Sequence, residues 1–329
     1  MPRTDCGGGL VTVLAERKGR RDGGWHAHKC KGETKRRHVR YRTARRVPSG
    51  SGVLGYNARM QALPSSARVV ALAGNAASAV AFEIVAETGS TNADLLARVA
   101  TLTQPTLRWA QRQTAGRGRA GRPWLAADDG ALTFSLAWKL TLSPQALSGL
   151  SLAVGVALAR QLAARGVAVQ LKWPNDLLRD GAKLAGILIE TAADRRERGA
   201  LWVVIGVGLN LAQGDELGAQ LGRAAADIGQ PQADREAWMA ALLAGLCEML
   251  PVFECEGFAP FAQEWNGFDA YAGCEVNILD RGEVLHHGRA VGVDEAGRLL
   301  LDTAAGRVTV MAGDVSLRMA ENGCHAVGS

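Results

Sequence analysis

Apolar and polar positions follow two styles along this chain. Between residues 80 and 250, runs rich in β-branched and large apolar residues alternate with longer amphipathic stretches. The pattern predicts strands at 80–85, 107–111, 132–140, 167–173, 184–190 and 201–207. The runs at 184–190 and 201–207 are almost wholly apolar, which places them at the centre of a sheet. Helices are predicted from an N-cap at Ser90-Thr91-Asn92 to about residue 100, over 147–164 with a stop at Gly166, and over 235–250. Arg179-Asp180-Gly181-Ala182 reads as a hairpin with Asp-Gly at its tip. Past residue 270 the runs shorten to 275–279, 288–293, 298–302 and 307–311, with Gly, Asp and Asn between them. That spacing predicts a small β-barrel of about 50 residues.

Upstream of residue 79 the pattern fades. Residues 57–79 read as a linker or weak helix, and 1–49 show no apolar periodicity beyond 10–14. The expected division is 1–78 as a basic, disordered leader and linker, 79–268 as a catalytic α+β domain, and 269–329 as the C-terminal barrel and tail. Gly50-Ser51-Gly52-Val53-Leu54-Gly55 spells G-x-G-x-x-G, but no strand precedes it, so it is not read as a dinucleotide fingerprint.

Charge sharpens this division. The net charge of +6 hides an imbalance: residues 1–49 carry 14 Lys/Arg against 4 Asp/Glu, and the remainder carries 24 against 28. The basic character belongs to the leader, so DNA binding by the folded body is not expected. His26, His28 and Cys30 lack a fourth ligand for a metal site. None of the six cysteines forms a C-x-x-C pair, and they read as free thiols in a reducing cytoplasm. The run at 147–164 is broken by Arg160 and Gln161, so it reads as a buried helix and no membrane span is expected.

Three segments carry candidate chemistry. The segment from Gln111 to Trp124 holds Arg112, Arg117, Arg119 and Arg122 among Gly116, Gly118 and Gly121, with no acid. Glycines let backbone wrap a ligand, and guanidinium forks neutralise carboxylate or phosphate. A solvated loop is the alternative. Arg122-Pro123 where a P-loop has Lys-Ser/Thr excludes that motif. Second, Lys172-Trp173-Pro174-Asn175-Asp176 delivers polar groups at a strand's mouth, with Lys183 and Gly186 across the hairpin. A turn serving only the backbone would look the same. Third, Gly206 and Gly208 occupy alternate positions of a buried strand ending at Asn210. They open a slot for a ligand or make room for a helix.

Taken together and in order, Ser90-Thr91-Asn92, Gln113 with Gly116-Arg117-Gly118-Arg119, the Lys172–Asp176 segment, Lys183 with Gly186, and Gly206–Asn210 resemble the biotin–protein ligase family. Gly313-Asp314-Val315-Ser316-Leu317-Arg318 resembles its C-terminal signature. The resemblance covers about residues 80–320. It implies a mixed sheet with flanking helices, like class II synthetases, followed by an SH3-like barrel. It implies that Ser90, Thr91, Asn92 and Gln113 bind the biotin rings and that Arg117, Gly118 and Arg119 close over biotin and its adenylate. Arg122 and Trp124 match the end of that loop. Lys183 would contact the activated carboxyl and phosphate, Gly186 and Gly206 would line the biotin pocket, and Asn210 would contact adenine. Asp176 would sit near the reacting centre, with Lys172 and Asn175 among the binding residues.

The expected activity joins biotin to ATP with Mg²⁺, then passes biotin to a lysine of a biotin carboxyl carrier protein. A carboxylate is already ionised at neutral pH, so the first step needs alignment and charge neutralisation rather than a base, which Arg117, Arg119, Lys183 and Mg²⁺ are expected to provide; in the second step Asp176 is expected to orient or deprotonate the carrier's lysine amine. Residues 1–78 lack the helix–turn–helix periodicity of the family's winged-helix repressors, so an enzyme without that domain is expected. The rival readings are a lipoate–protein ligase, a nucleic-acid-binding regulator using the basic leader, and a biotin-binding module. The metal ligands are not identified, and the oligomeric state is open between monomer and homodimer.

Overall fold

The computed structural model describes residues 63–126, 130–230, 233–313 and 315–320. The basic leader, the G-x-G-x-x-G segment and the His26-His28-Cys30 group lie outside these residues.

Seven strands form one sheet: β1 (Ala81–Thr88), β2 (Thr106–Gln113), β3 (Ala131–Leu140), β4 (Gln170–Lys172), β5 (Asp176–Arg179), β6 (Ala182–Ala193) and β7 (Leu201–Asn210), in the order β1-β2-β3-β7-β6-β5-β4. The β1–β2 pair is parallel because helix α2 (Thr91–Arg98) carries the chain back between them. The other pairs are antiparallel. Apolar β7 is central, as its sequence implied, and every residue of it is buried. The β5–β6 turn holds Asp180 at φ 50° and Gly181 at φ 74°, the left-handed pair that a two-residue hairpin needs.

Period-two alternation gives the sheet two different faces. Val203, Ile205, Val207 and Leu209 of β7 join Phe134 and Leu136 in the main core. That core also holds α3 (Leu150–Ala163) and α5 (Arg235–Glu256). Trp202 and Val204 point the other way and pack with Leu95 of α2, Val99 and Leu102. Gly206 and Gly208 continue that second face, and there the cleft opens.

Several boundaries differ from expectation. Residues 66–73 form a helix, α1 (Ser66–Ala73), capped by Ser65, and its Val69 is fully buried in the main core with Ala77. The folded body thus reaches upstream of residue 79. Helix α1 falls within 57–79, the segment read as a linker or weak helix, and of the two readings the helix is the one found over 66–73. Helices α4 (Gly214–Leu221) and α6 (Ala259–Phe268) were not foreseen; glycines interrupt both patterns. The strand expected at 167–173 pairs only over β4. Two helical stretches, 144–163 and 235–256, are long and apolar enough to cross a membrane, and more than half of each is buried inside this fold.

The C-terminal strands β8 (Glu275–Asp280), β9 (Glu283–Val293), β10 (Leu299–Thr303), β11 (Gly306–Val310) and β12 (Val315–Met319) form an antiparallel sheet in the order β11-β10-β9-β8-β12. This agrees with the SH3-like expectation and adds β12. The sheet shares the main core through Val276, Ile278, Leu299 and Leu301. Polar contacts seal the junction: the Ala270 amide donates to Leu171 O at 2.9 Å, and Trp173 Nε1 donates to Gly297 O at 3.3 Å. Cys247 and Cys255 are free thiols, but Cys274 is disulfide-bonded, which corrects the reading of six free cysteines. Sequence spacing does not report which sulfurs meet in space.

Candidate active site

On the α2 face of the sheet, β6 and β7 floor a cleft roofed by the 114–124 loop and bordered by the Lys172–Asp176 segment and β12. Its empty space is about 1080 Å³, counting the open mouth.

One end is neutral and closed on itself. Ser90 caps α2, which buries Ser90, Thr91 and Asn92 at the helix N-terminus. Gln113 Oε1 accepts from the Thr91 amide at 2.8 Å and the Thr91 hydroxyl at 3.1 Å. The Thr91 and Ser135 hydroxyls lie 2.7 Å apart, and Ser135 Oγ donates to Asn92 Oδ1. Asn92 Nδ2 donates to Glu190 Oε2 at 2.9 Å and to Leu188 O at 3.4 Å. A β-carbon at position 206 would collide with Asn92, and one at 208 would collide with the Trp124 indole. The glycine slot inferred from sequence is therefore filled by this chain's own side chains. Asn92 spends its hydrogen bonds on the protein.

The other end is cationic. Lys172, Lys183, Arg119, Arg223 and Arg318 line it, and Asp176 is its one acidic lining residue among those described. Lys183 Nζ meets Asp176 Oδ1 at 2.5 Å and lies 5.7 Å from the centre of the Trp124 ring. Asn175 donates to Ile187 O at 2.8 Å and accepts from Arg119 at 3.1 Å. Arg119 also donates to Gly313 O, which ties the loop to the C-terminal sheet. Burial pulls the Lys172 ammonium down to about 8; Asp176 opposes the shift, while Arg318, Lys183 and Arg223 add to it. The Lys172 ammonium sits 5.3 Å from the centre of the Tyr271 ring. Next to this junction, burial pushes the Asp269 carboxyl up to about 6, and its Oδ2 has no partner.

The loop itself is ordered as a tight turn. Gly118 N donates to Arg122 O at 2.7 Å, Trp124 N donates to Gly116 O at 2.9 Å, and Ala120 and Gly121 have φ of 52° and 69°. Arg117, Gly118, Arg119, Arg122 and Trp124 line the cleft. Gly116 does not: it packs against Gln113 and the Trp124 backbone. Arg117 is turned to Glu190, at 3.1 Å from both carboxylate oxygens, rather than to the cationic end. Asn210 lines an adjoining recess with Trp124, Lys183, Leu217 and Arg223. Its Nδ2 donates to Ala226 O at 2.9 Å, while its buried Oδ1 has no partner.

Four residues were missed. Ser135 is a polar interruption of an apolar strand, and Glu190 keeps the β6 alternation of Gly186 and Leu188; both signals were readable. Arg318 lay in the C-terminal signature without an assigned role. Arg223 follows the unforeseen α4 and carried no signal.

Comparison with known proteins agrees with this geometry. Residues 83–210 match the Biotin/lipoate A/B protein ligase family, and residues 272–318 match the Biotin protein ligase C terminal domain. The biotin--[acetyl-CoA-carboxylase] ligase of Mycobacterium tuberculosis is 37% identical over 241 residues, 71% of this chain and 87% of that protein. The bifunctional ligase/repressor BirA of Escherichia coli is 36% identical over 235 residues, 70% of this chain and 72% of that protein. A biotin protein ligase from Aquifex aeolicus, solved in complex with biotin and ATP, superposes with a TM-score of 0.62 at 29% identity, covering 73% of this chain and 99% of that one. Through both matched regions and these relatives, the chain belongs to the biotin protein ligase family.

Proposed function

We propose that this chain is an ATP-dependent biotin–protein ligase that forms biotinyl-5'-AMP and transfers biotin to a lysine of a biotin carboxyl carrier protein. The observation that carries this reading is one cleft with two chemistries: a neutral end shaped by a self-satisfied polar network, which suits an uncharged ring, and a cationic end that suits a carboxylate and phosphates. Asn210, with its unpartnered Oδ1 beside the cationic end, offers an acceptor for the amino edge of adenine.

In the first step a biotin carboxylate oxygen bonds to the α-phosphorus, the bond to the bridging oxygen breaks, and pyrophosphate leaves. Charge gathers on the phosphate oxygens, and Lys183, Lys172 and Arg119 are placed to neutralise it without a proton transfer. The loop over the cleft limits water's access to the mixed anhydride. In the second step the carrier's neutral lysine amine attacks the acyl carbon, AMP leaves, and the amine's proton passes to solvent. Asp176, at the cleft's mouth, orients that amine; its hydrogen bond to Lys183 fits orientation better than deprotonation.

Among the described residues no cluster of three or more His, Cys, Asp or Glu could cage a metal. Mg²⁺ would arrive with the nucleotide, and among the described lining residues Asp176 is the carboxylate that could help to hold it. There it would add positive charge at the phosphates. We place the reaction in the cytoplasm.

The test is pyrophosphate–ATP exchange with Mg²⁺ and biotin, lipoate or no acid, using full-length protein. Exchange that requires biotin is expected. Exchange with lipoate instead moves the chain to the sister activity, and no exchange from folded protein leaves a binding module.

A further inference from the structure

Glu190 is the one carboxylate at the neutral end that no role above employs. It lies on β6, on the same face as Gly186 and Leu188. Its Oε2 accepts from Asn92 Nδ2 at 2.9 Å and from Arg117 Nη2 at 3.1 Å, and its Oε1 accepts from the same Arg117 nitrogen at 3.1 Å. Asn92 is itself locked by Ser135 and by the notch at Gly206. On the loop side, Arg117 pairs with Pro123 in an isolated β-bridge, so the base of the loop is closed where Arg117 is held.

We propose that Glu190 is a positioning residue: it fastens the glycine–arginine loop, through Arg117, to the polar network that shapes the neutral end of the cleft. A half-exposed ion pair alone contributes little, because two long side chains must lose freedom to meet. Here one partner is already fixed. The Asn92 amide orients the carboxylate, so the remaining cost falls on Arg117 alone. A neutral Asn92–Gln113–Thr91–Ser135 network has no reason to carry a carboxylate at its edge, and the guanidinium supplies one. Arg117 thereby tethers the loop, and neutralisation of phosphate falls to Lys183, Lys172 and Arg119.

The catalytic consequence rests on the biotin–ligase reading; the loop consequence does not. The experiment therefore has two readouts on full-length protein. The first is limited trypsinolysis without ligand, following cleavage of the Arg119–Ala120 bond by mass spectrometry. In Glu190→Gln cleavage should accelerate about fivefold and in Glu190→Ala about tenfold, with melting temperatures close to wild type. Arg117→Gln should match them, and the double variant Glu190→Gln/Arg117→Gln should be no faster than either single change. The second readout is biotin-dependent exchange: KM for biotin should rise severalfold in Glu190→Gln while kcat at saturation stays within about twofold. Unchanged cleavage in folded Glu190 variants, or additive effects in the double variant, overturns the proposal. Wild type that shows no biotin dependence overturns the ligase reading, and the cleavage comparison still decides the role of Glu190.

Discussion

The two ends of the cleft solve the burial of polar groups in opposite ways. At the neutral end Thr91, Asn92, Ser135 and Gln113 satisfy one another, and none of them leaves a buried atom without a partner. At the cationic end and its adjoining recess Trp124 Nε1 and Asn210 Oδ1 are buried without partners, and among the described lining residues one carboxylate, Asp176, lies with several positive side chains. Unmet groups of this kind cost about 1–3 kcal/mol each, and a ligand that supplied partners would recover that cost. On the proposed reading, one end supplies shape and the other chemistry.

The strongest test of that contrast is Lys183→Ala. If Lys183 neutralises the reacting phosphate as proposed, removing its ammonium should lower kcat for adenylate formation about 10²–10³-fold, with little effect on biotin affinity. A matching loss of biotin affinity would mean that the two ends are not separable. Ser135→Ala is the reverse experiment. It strips Asn92 Oδ1 of its donor in a buried site, so stability should fall by about 1–3 kcal/mol in urea titrations, and KM for biotin should rise more than kcat falls. Asp176→Asn should slow transfer to the carrier about tenfold, a loss of one 1.4 kcal/mol step, more than it slows adenylate formation. Single-turnover assays of the two half-reactions separate them, and equal losses would refute the orienting role.

The smallest effect concerns pH. Lys172 is held down to about 8 by burial, so it is charged at pH 7 and loses its proton as pH rises through 8. If that charge helps to hold phosphate, KM for ATP should climb severalfold between pH 7 and 9, and Lys172→Arg, which stays charged, should flatten the profile. The sign for stability is also fixed. The unfolded chain would keep this proton up to about 10.5, so between about 8 and 10.5 the unfolded state binds more protons and Lys172 makes stability rise with pH.

Legibility in the sequence followed physical scale. Strands β3, β6 and β7 were readable because their apolar runs are long, and α2 because Ser90 marks its start. The Lys172–Asp176 and Lys183 group was readable because a hairpin of known turn chemistry brings it together. Helices α4 and α6 were not, and α1 only as a weak possibility, because helices of eight to ten residues are marginal without tertiary contacts. The occupants of the Gly206 and Gly208 notches were also hidden. Glycine announces that something comes close, but only the fold says that it is Asn92 and Trp124. Arg318 stayed without a role because only the fold brings β12 to the cleft.

The shared core between the two sheets bears on how such a protein changes over time. Because Val276, Ile278 and Leu301 pack in the same cluster as Leu171 and Trp173, the C-terminal sheet cannot be traded like a removable tag. A replacement drawn from a relative would also bring a new wall for the cleft, a new acceptor for Arg119 and a new neighbour for Lys172. The two pieces are therefore bound to drift as a pair: a substitution on one side of the junction sets which substitutions the other side can accept.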